Sequence, residues 1–184
     1  MLANKKSSVF ALFFLLAGFV YTLPVYSQNM AAVIKTQAME MARAILDKDK
    51  QTVAKYLHPD IIALAGGMTE TLNRMDSANL AAKRFGASIQ KIIIGHPLQI
   101  VQYKNEWQCT LPQTTTLQTS MGTIELETTL IGVSRDEGRH WYFLDTSFYG
   151  EKSIRKQLTE LSAELIFPPR KPPKITPKEL PTTQ

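Results

Sequence analysis

The hydrophobic period of this chain changes once, near Gly86, and that change constrains the fold more than any other feature. Before it, "MAAVIKTQAMEMARAILDKD" sets Ile34, Ala38, Met41 and Ile45 at helical spacing, which predicts an amphipathic first helix. Asp49 is placed to cap a second short helix, "KQTVAKYL", which Pro59 stops. "DIIAL" reads as a short apolar strand ended by Gly66 and Gly67. A third helix starts near Thr69, passes through Leu72, Met75 and Leu80, and ends at Gly86. Beyond Gly86 the period is two. "SIQKIIIGHPLQIVQY", "EWQCTLPQTTTLQT", "TIELETTLIGVS" and "HWYFLDTS" predict long strands joined by short turns. Ile154, Leu158 and Leu161 return to helical spacing. Helices followed by an antiparallel meander argue for an α+β fold.

The two ends of the chain differ from its middle. "MLANKKSSVFALFFLLAGFVYTLPVYSQ" has Lys5 and Lys6 ahead of an apolar run from Val9 to Val20, then Val25-Tyr26-Ser27 as a cleavage pattern before Gln28. That layout predicts a signal peptide over 1–27 and an exported protein, periplasmic or secreted. Pro24 and the polar residues behind it arrive too early for a membrane-spanning helix, so no stable span is expected after processing. Residues 28–167 are long enough for one domain with one core. Cys109 is the single cysteine, so no intrachain disulfide is available. The tail over 168–184, "PPRKPPKITPKELPTTQ", has six prolines in 17 residues and is expected to be disordered.

The sequence pI of about 9.3 comes from these ends. Lys5 and Lys6 face no acid in the first segment. The tail sets Arg170, Lys171, Lys174 and Lys178 against Glu179, which leaves 15 basic and 15 acidic residues in 28–167. A neutral domain argues against a nucleic-acid partner.

Turn chemistry suggests a register. "DEG" at 136–138 and "SMG" at 120–122 match three-residue loops closed by a left-handed glycine. Arg135 would then oppose Arg139, and Thr119 would oppose Thr123. One face would carry Trp107, Cys109, Leu111, Ile131, Val133, Trp141 and Phe143 as an apolar patch. It would continue into polar Gln113, Thr115, Glu127, Thr129, Asp145 and Ser147, with Asp145 opposite Thr129. Ile124, Leu126, Leu130, Tyr142 and Leu144 would form the other face, suited to a subunit contact, as in a homodimer, or to further coverage. A four-residue loop at 136–139 would instead place Asp145 beside Leu130. Pro112 inside a strand marks a bulge or an edge.

The order of elements over residues 30–150 resembles the nuclear-transport-factor-2-like (SnoaL-like) superfamily. "HPDIIALAGG", "WQCTLPQT" and "GRHWYFLDTS" look like a group of short exported bacterial proteins of that fold. The resemblance implies helices packed on a strongly curved, mostly antiparallel sheet, a cone that encloses a cavity. It transfers no catalytic set onto this chain, because the superfamily holds enzymes and binding modules alike.

The candidate pocket residues are therefore Trp107, Gln113, Glu127, Thr129, Trp141, Phe143 and Asp145. Asp145 is the one catalytic candidate: burial at a dry–polar boundary suits a carboxylate to general-base work. A hydrogen bond to Thr129, Ser147 or a loop is the competing, structural role. His58, His96 and His140 form no ligand pair, so no metal and no cofactor is expected. His58 reads as favouring a helix C-terminus, His140 as solvated, and Cys109 as a small buried residue. The expected function is binding of a small apolar or amphipathic molecule, or of a partner protein, in the cone. The alternatives are a cofactor-free lyase, isomerase or hydrolase using Asp145, and a dimeric interaction module whose cone is filled.

Overall fold

The structure is a computed structural model that describes residues 24–147, 154–156, 158 and 160–178. Most of the signal-peptide segment, and tail residues 179–184, lie outside the described residues. Helix α1, Pro24–Asp47, buries Ile34, Ala38 and Met41. Its apolar stripe follows the predicted spacing. Asp49 caps α2, Lys50–Tyr56, by accepting from Thr52 N at 3.1 Å.

"PDIIAL" is a helix, α3, Pro59–Leu64, rather than the expected strand. Pro59 fits the first turn, where its missing N–H is not needed. His58 is the N-cap, its Nδ1 accepting from Asp60 N at 3.2 Å. Local capping thus outweighs the apolar run. Helix α4, Met68–Arg84, follows Gly67.

Among the described residues six strands make one sheet: β1 Ser88–Ile94, β2 Gln99–Tyr103, β3 Glu106–Thr119, β4 Gly122–Ser134, β5 Tyr142–Asp145 and β6 Lys174–Pro177. The strongly curled sheet has the long β3 and β4 as its spine. β1 and β2, expected as one long strand, are separated at Gly95-His96-Pro97 and pair with successive halves of β3. Pro112 sits at that break. Its carbonyl accepts from Gly95 N at 2.8 Å, and the missing N–H falls where no strand offers an acceptor. On the other side, β5 pairs with the end of β4 and β6 with its start.

The register differs from the expectation at both hairpins. Gly122 and Gly138 do have positive φ, +142° and +84°. Yet Thr119 pairs with Gly122, so the first loop holds only Ser120 and Met121. In the second, Glu137 is also left-handed, at φ 65°. Asp136 Oδ1 accepts from His140 N and Ser134 Oγ, both at 2.9 Å, and Ser134 Oγ accepts from Gly138 N at 2.9 Å. These side chains replace ladder bonds, and the last strand pair is Val133 with Tyr142. Each hairpin slips by one residue, which inverts a strand's facing. Asp145 therefore pairs with Leu130, not Thr129.

The inner face, under α1, carries Cys109, Leu111, Leu130, Trp141 and Phe143 with Ile94. The outer face carries Ile131, Val133 and Leu144 and packs against Ile154 and Leu158. The proposed subunit face therefore does not exist as one surface, since Ile124, Leu126 and Leu130 share the inner side while Tyr142 and Leu144 lie on the outer.

The C-terminal segment is held to the outer face by polar side chains. Gln108 Nε2 donates to Glu160 O, Gln108 Oε1 accepts from Ser162 N, and Thr110 Oγ1 donates to Ile166 O, each at 2.8 Å. Part of the proline-rich tail, expected to be disordered, is the edge strand β6. Its approach is close enough that a Cβ on Gly122 would lie 2.2 Å from Thr176 O.

Candidate functional site

Because the two slips compensate between β3 and β5, Gln113 and Asp145 meet on the inner face as expected. Gln113 Nε2 donates to Asp145 Oδ2 at 2.7 Å and Ser147 N donates to Oδ1 at 2.7 Å. Both carboxylate oxygens are engaged. Thr129 has turned to the outer face, where its N–H donates to Thr146 Oγ1 at 3.2 Å and its carbonyl accepts from Thr146 N at 3.0 Å. Glu127 is on the outer face as well, with Oε2 2.6 Å from Lys171 Nζ. The seven candidates therefore do not form one site.

The aromatic candidates fill the interior. Trp141 and Phe143 are fully buried, and Trp107 packs against the same cluster. Trp141 Nε1 donates to Gly138 O at 3.0 Å, which removes its polar cost. Gly132 is the enabling residue here: a Cβ would stand 2.7 Å from Cys109 Sγ and 3.2 Å from Trp141 Cε3. Cys109 is buried beside it, and burial pushes its thiol well above the ordinary range. It is inert as a nucleophile.

A groove of about 490 Å³ opens on the other side of the sheet, between the outer face and the C-terminal segment. Pro112, Thr114, Thr129 and Thr146 form its sheet side, and Phe167 and Pro168 face them. Arg170 donates to the carbonyls of Thr146 and Ser147, and the Glu127–Lys171 pair stands at the rim. Among the described residues the β4–β6 ladder ends at Glu125 and the β5 side reaches to Thr129, and the groove lies along the stretch between them. Glu127, Thr129 and Gln113 line it; Asp145 and the three aromatic candidates do not. The sequence pattern missed Thr114, Thr146 and the C-terminal segment, here called the strap, because the strap's docking depends on contacts from residues more than twenty positions away.

A second cleft, about 360 Å³, lies between α1 and α2. The Tyr56 hydroxyl bonds Glu40 Oε2. Burial, then the Glu40 hydrogen bond and charge, pushes Tyr56 up to about 12. His140, expected to be solvated, stacks on Tyr56 with ring centroids 5.5 Å apart, and its Nε2 lies 3.1 Å from Lys55 O.

His58 follows the C-cap of α2, Leu57, as expected of a helix end, but its buried ring serves as the N-cap of α3. Burial, reinforced by the Arg135 charge and opposed by Asp60 and Glu106, lowers its pKa. A neutral ring is what the cap requires, since the protonated form has no lone pair for Asp60 N–H. Among the described residues no group of three or more His, Cys, Asp or Glu side chains is placed to hold a metal ion, and no helix is long and apolar enough to cross a membrane. No protein-family model, curated protein or solved structure matches this chain.

Proposed function

We propose that this is an exported, non-catalytic binding protein of the nuclear-transport-factor-2-like type, and that its ligand occupies the outer groove rather than the cone. The ligand class is a small amphipathic molecule. One observation carries the reading: Trp141, Phe143, Leu111 and Leu130 fill the apolar end of the inner face as buried side chains, while a groove of about 490 Å³ opens on the outer face. That volume falls within the range of ordinary small-molecule sites. Its lining pairs apolar Pro112, Phe167 and Pro168 with the Thr114, Thr129 and Thr146 side chains and a charged rim, which suits a molecule with one apolar and one polar end. Two features support a structural role for Asp145: both its oxygens are engaged, and it lies off the groove. The signal-peptide layout of residues 1–27 supports export.

The test is calorimetric titration with anilinonaphthalene sulfonate, a probe with apolar rings and one anionic group. Thr114→Trp fills the groove from a half-buried strand position. The expected result is a single site whose affinity falls at least about tenfold in Thr114→Trp, with unfolding unchanged. Equal binding by both proteins would place the ligand elsewhere and refute the assignment.

A further inference from the structure

Four chain segments meet at the end of the molecule farthest along the β3–β4 hairpin. The residue after α4 is Phe85, and Gly86, at φ +64°, turns the chain into β1. A Cβ on Gly86 would lie 3.8 Å from Ser120 Cβ, so the end of α4 adjoins the β3–β4 turn. Lys178 N donates to Met121 O at 2.9 Å, which brings the end of β6 to the same place. β1 begins there too, with Ser88 opposite Gln118 and Ile89 opposite Leu117.

This end is apolar at its tips and basic around them. Phe85 and Met121 are each 78% exposed, and Ile175 on β6 is 65% exposed. Nothing in the fold's own packing asks for these side chains in water. Lys83, Arg84, Lys91, Lys174 and Lys178 surround them, and none forms an ion pair with a described residue. The nearby carboxylates are Glu125, opposite Lys174 in the ladder, and, by sequence, Glu179. Lys83, Arg84 and Lys91 of the neutral domain and Lys174 and Lys178 of the basic tail thus gather at one apolar end. The apolar side chains stand on a helix end, a turn and the edge strand β6, and all three are well exposed. They are therefore placed to enter a soft surface, not to receive a knob from a folded partner.

We propose that this end docks the protein on an anionic lipid bilayer. Phe85, Met121 and Ile175 enter the interface between headgroups and acyl chains. The five cations meet the anionic headgroups. Lysine and arginine stems suit this arrangement, because they lie along apolar surface while their charged ends reach the phosphates. The contact is peripheral and reversible, and it leaves the outer groove free.

The test uses the full chain and vesicles of phosphatidylcholine with or without phosphatidylglycerol. Met121→Trp reports contact directly, because both native tryptophans are in or against the core. The added indole emission is expected to be quenched by brominated acyl chains only when phosphatidylglycerol is present. In co-sedimentation, Lys83→Glu/Arg84→Glu is expected to lower partitioning by about tenfold or more, and added salt to weaken it. Phe85→Ser/Met121→Ser is expected to lower it on the anionic vesicles as well, with unfolding unchanged. Emission from the Met121→Trp protein that brominated chains leave unquenched overturns the proposal. So does undiminished partitioning of both double variants, which would assign binding to the apolar amino-terminal stretch. Loss of an acidic protein or nucleic acid from the variants, with vesicle binding intact, also overturns it.

Discussion

Replacing Gln108 by methionine tests whether the carboxy-terminal segment belongs to the core. Gln108 is fully buried on β3, and its amide bridges Glu160 O and Ser162 N, both at 2.8 Å. Methionine keeps the volume and the unbranched shape, so little cavity cost arises. What is lost is both bonds and a third, from Gln108 Nε2 to Glu106 Oε2 at 3.2 Å, leaving a backbone carbonyl and a buried N–H without partners. Each such group costs about 1–3 kcal/mol. The expected loss is about 2–6 kcal/mol, a large share of the roughly 5–15 kcal/mol that stabilises a domain. For a chain of this size the melting temperature should fall by roughly 4–24 °C. Urea unfolding followed by tryptophan fluorescence measures the loss, and hydrogen exchange should locate it as faster exchange at residues 160–166. A loss under about 1 kcal/mol, the scale of a solvated pair, would mean that the segment merely rests on the sheet.

Three other outcomes follow from the same packing. Stability should decline as pH falls below about 6.5, the ordinary histidine value, because the unfolded chain takes up a proton that buried His58 resists. In a pH series of urea unfolding His58→Asn, which keeps a cap acceptor, should flatten that decline; an unchanged slope would remove His58 as its source. Gly132→Ala should cost about 1–3 kcal/mol by overpacking, since its methyl would meet Cys109 and Trp141; a neutral result in thermal unfolding would show that the core gives way freely. Asp145→Asn retains the acceptor for Ser147 N but sets an amide nitrogen against Gln113, so denaturation should register about 0.5–1.5 kcal/mol. No loss of ligand retention should accompany it, and such a loss, read by mass spectrometry of bound material, would return Asp145 to the site.

The helical half was largely legible in the residues. Ile34, Ala38 and Met41 all face the core, and Asp49 caps α2, because spacing and capping are properties of neighbouring residues. The exception is also local. "DIIAL" looked like a strand until His58 and Pro59 were weighed as the start of a helix. In the sheet, alternation identified β3, β4 and β5, and glycine marked the turns. The loop lengths were misjudged because Asp136 and Ser134 bond the backbone of the second hairpin, and because β6 closes on Gly122 at the first.

The amino-acid pattern alone therefore determined the α+β class, the residues of α1 that face inward, and the positive φ of Gly122 and Gly138; that Asp145 and Gln113 share a face survived only because two register slips cancel. Only the tertiary structure decided which face Thr129 and Glu127 occupy, that Trp141 and Phe143 plug the interior, and that part of a proline-rich tail becomes a strand and walls a groove. The physical reason is one of range. Periodicity and caps act within a few residues, whereas a strand's facing depends on whole-residue register, and the strap is held by Gln108, Thr110 and Glu127, residues far from it in the chain.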